Sequence, residues 1–338
     1  MKFADLKIGA KLGGGFGAIL VIAAALGIMA IFNFSSIRKK SNLLEKEYVP
    51  EVEVANSIER NSLMTMFAMR GYGYTEDESF LREGRSYLET VQKELDRAQN
   101  LANEATSLVK LESEVGKVRE AVTTYEDLVD ETVEQNRLLQ EDRDKMDVAA
   151  AEYMQNCAEF LEGQNEKMLR EARQGAGSAA ISERLEKITL VNDVIDLGNG
   201  VRVGNFKSQA TRSPEVMRQA LEDFDAVKDK YESLREITRE RADLAMIDAT
   251  EKAGDNYKKA MEDFLRAWTE RERIATERVD AANIVLDGSK NTALAGVENT
   301  QAIAKEAAAA SGTSLNTMIV GLIIALIIGV ILALVLTR

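Results

Sequence analysis

The chain has 338 residues, a formal net charge of −13, no histidine and one cysteine, Cys157. Without histidine the usual general base, the commonest metal ligand and a c-type haem ligand are gone, and a lone cysteine makes neither an intrachain disulfide nor a thiolate cluster. Two prolines, 6% aromatics and an abundance of Ala, Glu, Leu, Arg and Lys favour helix over sheet, and the acidic balance excludes nucleic acid as a partner because phosphates would be repelled.

Lys2, Lys7 and Lys11 precede an uncharged stretch from Leu12 to Phe32. At about 1.5 Å per residue it crosses a hydrocarbon core of about 30 Å, and it is too long for the core of a cleaved leader. It reads as a transmembrane helix over 12–34 after a cytoplasmic N-terminus, 1–11. The lysines set the orientation, although Arg38, Lys39 and Lys40 follow on the other side.

Residues 35–314 carry six helices, expected at 35–74, 77–103, 107–173, 179–210, 214–239 and 243–314. Gly71-Tyr-Gly-Tyr-Thr75 ends the first, and Thr75-Glu-Asp-Glu78 has the form of a capping box led by Thr75. Gln174-Gly-Ala-Gly-Ser178 is the strongest loop, and Ser213-Pro214 places an N-cap before proline at the first helical position. The first and fourth helices together span about 108 Å, against about 100 Å for the third and about 108 Å for the sixth. The expected fold is therefore all-α: two stacked four-helix bundles built from two long and four short helices. The near module takes about 35–140 plus 272–314, and the far module about 141–271. An internal repeat supports this. At an offset of 136 residues, Leu88, Val91 and Leu95 align with Phe224, Val227 and Tyr231, and Asn56 with Asn192.

A second span covers 315–336, where Met318 to Leu336 passes without a charge. Gly288, Gly296 and Gly312 are the places where the long last helix would bend, and 337–338 read as the start of a cytoplasmic part beyond this chain.

No nucleophile has an adjacent base, so no enzyme is expected, and no cofactor or metal. Gly13-Gly-Gly-Phe-Gly17 lies within the first span and is a packing feature. A solute site would need polar or aromatic groups on one side of a helix. In the near module Asn56, Arg60, Phe67 and Arg70 meet that spacing, with Arg273 and Arg278 on the last helix. In the far module Asn192, Asn199, Arg202 and Phe206 do so, with Tyr257 and Trp268 opposite. The bland alternative is a solvated face and a satisfied core.

The run Lys7-Ile-Gly-x-Lys-Leu-Gly-x-Gly-Phe16 resembles the start of bacterial methyl-accepting chemotaxis receptors. The six-helix domain is similar to their helical bimodular ligand-binding domain, which some sensor histidine kinases share. The resemblance implies a homodimeric two-span receptor of the bacterial inner membrane, with a periplasmic domain that binds a small organic solute or docks a periplasmic binding protein. Cytoplasmic signalling proteins would be reached through a part absent from this chain. Relatives often hold carboxylates with arginines on helices one, four and six. Here Met66 and Met69 occupy two such slots and Ala275 a third, with Arg271, Arg273 and Arg278 as neighbours, so both an organic acid and an amine stay open. The rival readings are a histidine-kinase input region and a coiled-coil membrane tether without ligand.

Overall fold

The computed structural model describes residues 8–337; Lys2, Lys7 and Arg338, which bear on orientation, lie outside the described residues. The fold is all-α, with no strand among the described residues. In order, it has α1 (Ile8–Leu43), a π-helical turn (Leu44–Tyr48), α2 (Val49–Thr75), α3 (Glu78–Glu104), α4 (Val109–Arg173), α5 (Ser178–Thr211), α6 (Pro214–Ile237) and α7 (Arg241–Thr337). Helices α1 and α7 each contain a stretch long and apolar enough to cross a membrane, and none of either stretch is buried by the rest of the chain. That separates them from the core helices of a soluble protein, which would cover such a surface.

The repeat carries through to packing. Leu88, Val91 and Leu95 on α3 are buried, and so are their counterparts Phe224, Val227 and Tyr231 on α6. Spacings of three and four put them on one stripe that faces inward.

One local expectation is corrected. Helix α2 runs through Gly71 and Gly73 to Thr75, so Thr75 is not the cap. Glu76 turns the chain with a positive φ of 60°, and Asp77 caps α3 by accepting from the Ser79 backbone N–H at 2.8 Å. The π-helical turn after α1 has no advance signal in the sequence; its extra residue per turn re-phases the helix between the apolar stretch and α2. Helix α7 is continuous through Gly288 and Gly296. Both mark close approaches: a Cβ on Gly288 would meet Val118 Cγ2, and one on Gly296 would meet Val52 and Glu51.

The chain divides into two compact units, with α4 and α7 contributing to both. The first takes residues up to 72, 77–124 and from 281 onward; the second takes 73–76 and 125–280. The crossover thus falls at 124/125 on α4 and 280/281 on α7, which assigns Arg278 to the second unit.

In the first unit α1 and α7 pack antiparallel. A Cβ on Gly15 would overlap the Leu332 side chain, and one on Gly321 would lie 2.7 Å from Leu26 Cδ2. Small residues that let helices approach closely are the usual device of membrane helix pairs. Lys40 on α1 binds Glu306 on α7 at 2.8 Å in the same register.

The second unit holds two apolar clusters. One joins Leu139, Met146, Val201, Met217, Phe224, Tyr257, Met261, Phe264 and Trp268; the other joins Tyr153, Cys157, Phe160, Val191, Val194, Tyr231, Leu234 and Ile247. Burial pushes the Cys157 thiol up to about 12, so it stays protonated and inert.

Candidate functional site

Four of the near-module residues singled out by spacing lie on the outer surface. Asn56, Arg60 and Arg70 are exposed, and Phe67 is 66% exposed with Leu63 and Met64 beside it. The i, i+3/i+4 pattern correctly grouped them on one face of α2, but α2 buries the opposite face, through Val54, Ile58, Ala68 and Met69. Arg273 also points outward and pairs with Glu270 at 2.7 Å and with Glu277.

The far-module residues divide in the same way. Asn192 is exposed and donates to the Ile188 carbonyl, and Phe206 is exposed. Arg202 is half-buried and bonded to Asn199 at 3.3 Å. Tyr257 and Trp268 are buried, but they fill the core. Tyr257 packs edge-on against Phe224 at 5.8 Å and accepts from Asn205 at 3.2 Å, while Trp268 packs on Phe264. The two sets are not gathered into one pocket. Two enclosed spaces of about 10 Å³ each, one lined by Ala55, Leu95 and Ser289 and the other by Cys157, Val191 and Tyr231, have room for a single water.

Arg278 is different. It is 6% exposed, and its Nε and Nη1 have no hydrogen-bond partner. Arg271 stands two turns earlier on the same face of α7, at the i, i+7 spacing. From α4, Thr132, Asn136 and Arg143 recur at spacings of four and seven, and the corner after α2 supplies Glu76. Glu76 accepts from Arg143 in a two-point bond, Nη1 to Oε2 at 2.6 Å and Nη2 to Oε1 at 2.7 Å. Arg271 Nη1 reaches Glu76 Oε1 at 3.2 Å and Asn136 Oδ1 at 3.3 Å. The amide nitrogen of buried Asn136 has no acceptor. Gly73 brings bare backbone close, since a Cβ there would lie 3.8 Å from Arg278 Nη2.

Arg143 and Arg271 therefore share one carboxylate, and Arg278 adds a third guanidinium bonded to none, so these four groups together carry a net charge of about +2 at neutral pH. The bonds from Arg143 hold Glu76 below the usual carboxylate range. Burial lowers both Arg278 and Arg271; the Arg271 charge lowers Arg278 further, and Arg143 acts in the same direction on Arg271 against the pull of Glu76. A guanidinium stays protonated across the physiological range, so it cannot escape burial by losing its proton. The unpaired N–H groups of Arg278 and Asn136 form a donor-only set. A donor-only, positive set is complementary to an acceptor-only, negative group.

An internal control lies elsewhere in the second unit. Arg184 on α5 is also 6% exposed, yet it binds Gln164 at 2.5 Å and Glu171 at 2.7 Å, with Asp243 at 3.6 Å and Glu240 at 3.8 Å. Lys167 adds a bond to Asp243 at 2.6 Å. The arginine's own donors are all met here and carboxylates surround its charge, although Gln164 Nε2 and Asp243 Oδ2 in the same network have no hydrogen-bond partner. Equal burial with opposite satisfaction marks Arg278 as the arginine that lacks a partner.

Of the cluster, the sequence named Arg278 and Arg271, both as neighbours of the Ala275 slot to which the resemblance points. Glu76, Asn136 and Arg143 were missed. The legible signal was the pair of i, i+7 repeats, Asn136–Arg143 and Arg271–Arg278, on the two long helices. Glu76 had no signal, because its place depends on where α2 ends.

The chain matches no protein-family model and no curated protein. Its class is defined by the fold and the site: an all-helical protein with two apolar helices of membrane-spanning length and a buried, under-compensated arginine cluster.

Proposed function

We propose that the protein is a two-span transmembrane receptor whose helical domain binds a small organic anion. The carrying observation is the Arg278 guanidinium, buried without a counter-charge on the helix that continues unbroken into the second apolar stretch. An anion between Arg278, Arg271 and Asn136 would relieve an uncompensated buried charge, a penalty of several kcal/mol. The excess positive charge favours a carboxylate over an amine, which it would repel.

Binding acts on signalling only if the ligand prefers one helix arrangement. Closing the donors of α7 onto an anion held also by α4 would favour small sliding of α7 along α4, and α7 carries that displacement toward the membrane. The exposed face of α2, with Leu63 and Phe67 among Asn56, Arg60 and Arg70, suits a second copy of the chain. In this reading the domain is periplasmic and the receptor is of the chemotaxis type, with its output reached through a cytoplasmic part. A tether without ligand would have no use for an unpaired buried arginine.

The test is a thermal-shift series on the full chain in lipid nanodiscs, using mono- and dicarboxylates, amino acids and amines. A specific carboxylate at 100 times its dissociation constant should add about 2.7 kcal/mol, and Arg278→Gln should abolish the shift. Carboxylate binding that survives Arg278→Gln would sink the site, and a shift with amines alone would sink the ligand class.

A further inference from the structure

The first unit buries a charge of the other sign. Glu51 lies in the first turn of α2, directly after the π-helical turn Leu44–Tyr48. It is 1% exposed, and its Oε2 has no hydrogen-bond partner. The carboxyl accepts from the Leu111 backbone N–H in the first turn of α4. Glu47, one turn earlier, accepts from the Ser107 N–H at 3.2 Å just ahead of the same helix. Helix α7 makes room with Gly296, where a Cβ would fall 2.9 Å from Glu51 Oε2. Thr292 and Thr300, one turn to either side of Gly296 on that face, do not titrate near neutral pH.

The surrounding charges do not rescue a carboxylate. Glu47 is negative and pushes the same way as burial. Lys110 on α4 is engaged with Glu114 at 2.8 Å. Arg97 on α3 holds Glu94 at 2.9 Å and reaches Glu53 at 3.6 Å. Only the Leu111 N–H and the helix end behind it favour the ionised form.

We propose that Glu51 and the π-helical turn form a protonation-gated joint between the first apolar helix and the helical domain. With Glu51 neutral, its carboxyl packs between α4 and α7 and holds the turn. When Glu51 loses its proton to water, the carboxylate is drawn outward for hydration and the turn loosens. Two features make this a joint. A π-helical turn is a strained insertion that needs its neighbours to hold it, and the group beside it is one that burial can switch. Burial raises Glu51 to about 7, so the change falls across neutral pH. The joint does not depend on the arginine cluster or on any ligand.

The experiment uses the full chain in nanodiscs. Infrared difference spectra between about pH 5 and about pH 9 should show loss of a protonated-carboxyl C=O band with a midpoint near 7. Glu51→Gln, which mimics the neutral form and keeps an acceptor for Leu111, should lack that band. Hydrogen exchange of amides 44–49 and 51, corrected for its intrinsic pH dependence, should quicken about tenfold on the alkaline side in the wild type and stay constant in Glu51→Gln. Gly296→Ala, which crowds Oε2 and leaves Glu51 in place, should shift the midpoint of both signals. Exchange that is flat with pH in the wild type, or a band and pH response that persist in Glu51→Gln, would overturn the joint.

Discussion

The two buried arginines of the second unit, Arg184 and Arg278, show what burial alone does not reveal. They are equally hidden. Around Arg184, α4 supplies Gln164 and Glu171, the connection before α7 supplies Glu240, and the start of α7 supplies Asp243. Around Arg278, the single carboxylate of the cluster is already held by Arg143 and Arg271. The first arrangement compensates its arginine, whereas the second leaves a buried charge without a counter-charge, which costs energy. Glu51 completes the contrast, because a carboxyl can discharge by taking up a proton and a guanidinium cannot. An unpaired buried Glu therefore points to pH, and an unpaired buried Arg to an anion.

The comparison breaks most visibly at Arg184. Arg184→Ala strands Glu171 and Asp243 and should lower stability by about 3 kcal/mol, read as a fall in the chemical denaturation midpoint. Arg278→Met, which removes a charge without a partner, should leave the unliganded protein as stable or up to about 2 kcal/mol more stable. Equal losses at both positions would erase the distinction.

The carboxylates sharpen it through pH. Glu51 has a folded-state pKa of about 7 against an ordinary 4.5. Its contribution is fully present below about 4.5 and is lost as pH rises through about 7, a swing of up to about 3 kcal/mol at 1.4 kcal/mol per unit. Glu76 is held below its ordinary value, so its contribution is present above about 4.5 and lost as pH falls further. Stability plotted against pH should thus lose its alkaline decline in Glu51→Gln and soften its acid decline in Glu76→Gln.

Glu76→Gln carries a further expectation. It frees Arg143 and Arg271 from their carboxylate, so a titration with carboxylate should show tighter binding by roughly tenfold, worth about 1.4 kcal/mol, on a less stable protein. The smallest effect is at its neighbour. Asp77→Ala removes the α3 cap for about 1 kcal/mol and should leave carboxylate affinity unchanged, which separates damage to the corner from a change in cluster charge.

Much of the fold was legible because its signals are local. Apolar runs of bilayer length, Gly-rich loops, Ser213-Pro214 and the three-four spacing of Leu88, Val91 and Leu95 each depend on a few neighbouring residues. The site was legible only in part. Spacing grouped Asn56, Arg60, Phe67 and Arg70 on one face of α2 and Asn192, Asn199 and Phe206 on one side of α5. It could not say which face was inward, because polar residues mixed with an aromatic fit a solvated seam as well as a pocket. The π-helical turn left no mark either, since the residues Leu44-Glu-Lys-Glu-Tyr48 would equally make an ordinary α-turn.

By itself the sequence determined that this is a helical chain with two apolar ends, a duplicated pattern of buried positions, and no histidine or thiol chemistry. These follow from composition and periodicity, which act over one or two helical turns. Only the tertiary structure decided which charges are compensated. Pairing depends on residues far apart in the chain, such as Glu76 with Arg143 and Arg271, or Glu51 with Leu111 and Gly296. Coulombic and desolvation energies follow distance and burial, and neither can be read along one strand of letters. Arg278 stands in the sequence as one arginine among many, and it becomes a candidate binding group only because folding buried it and left its partner out.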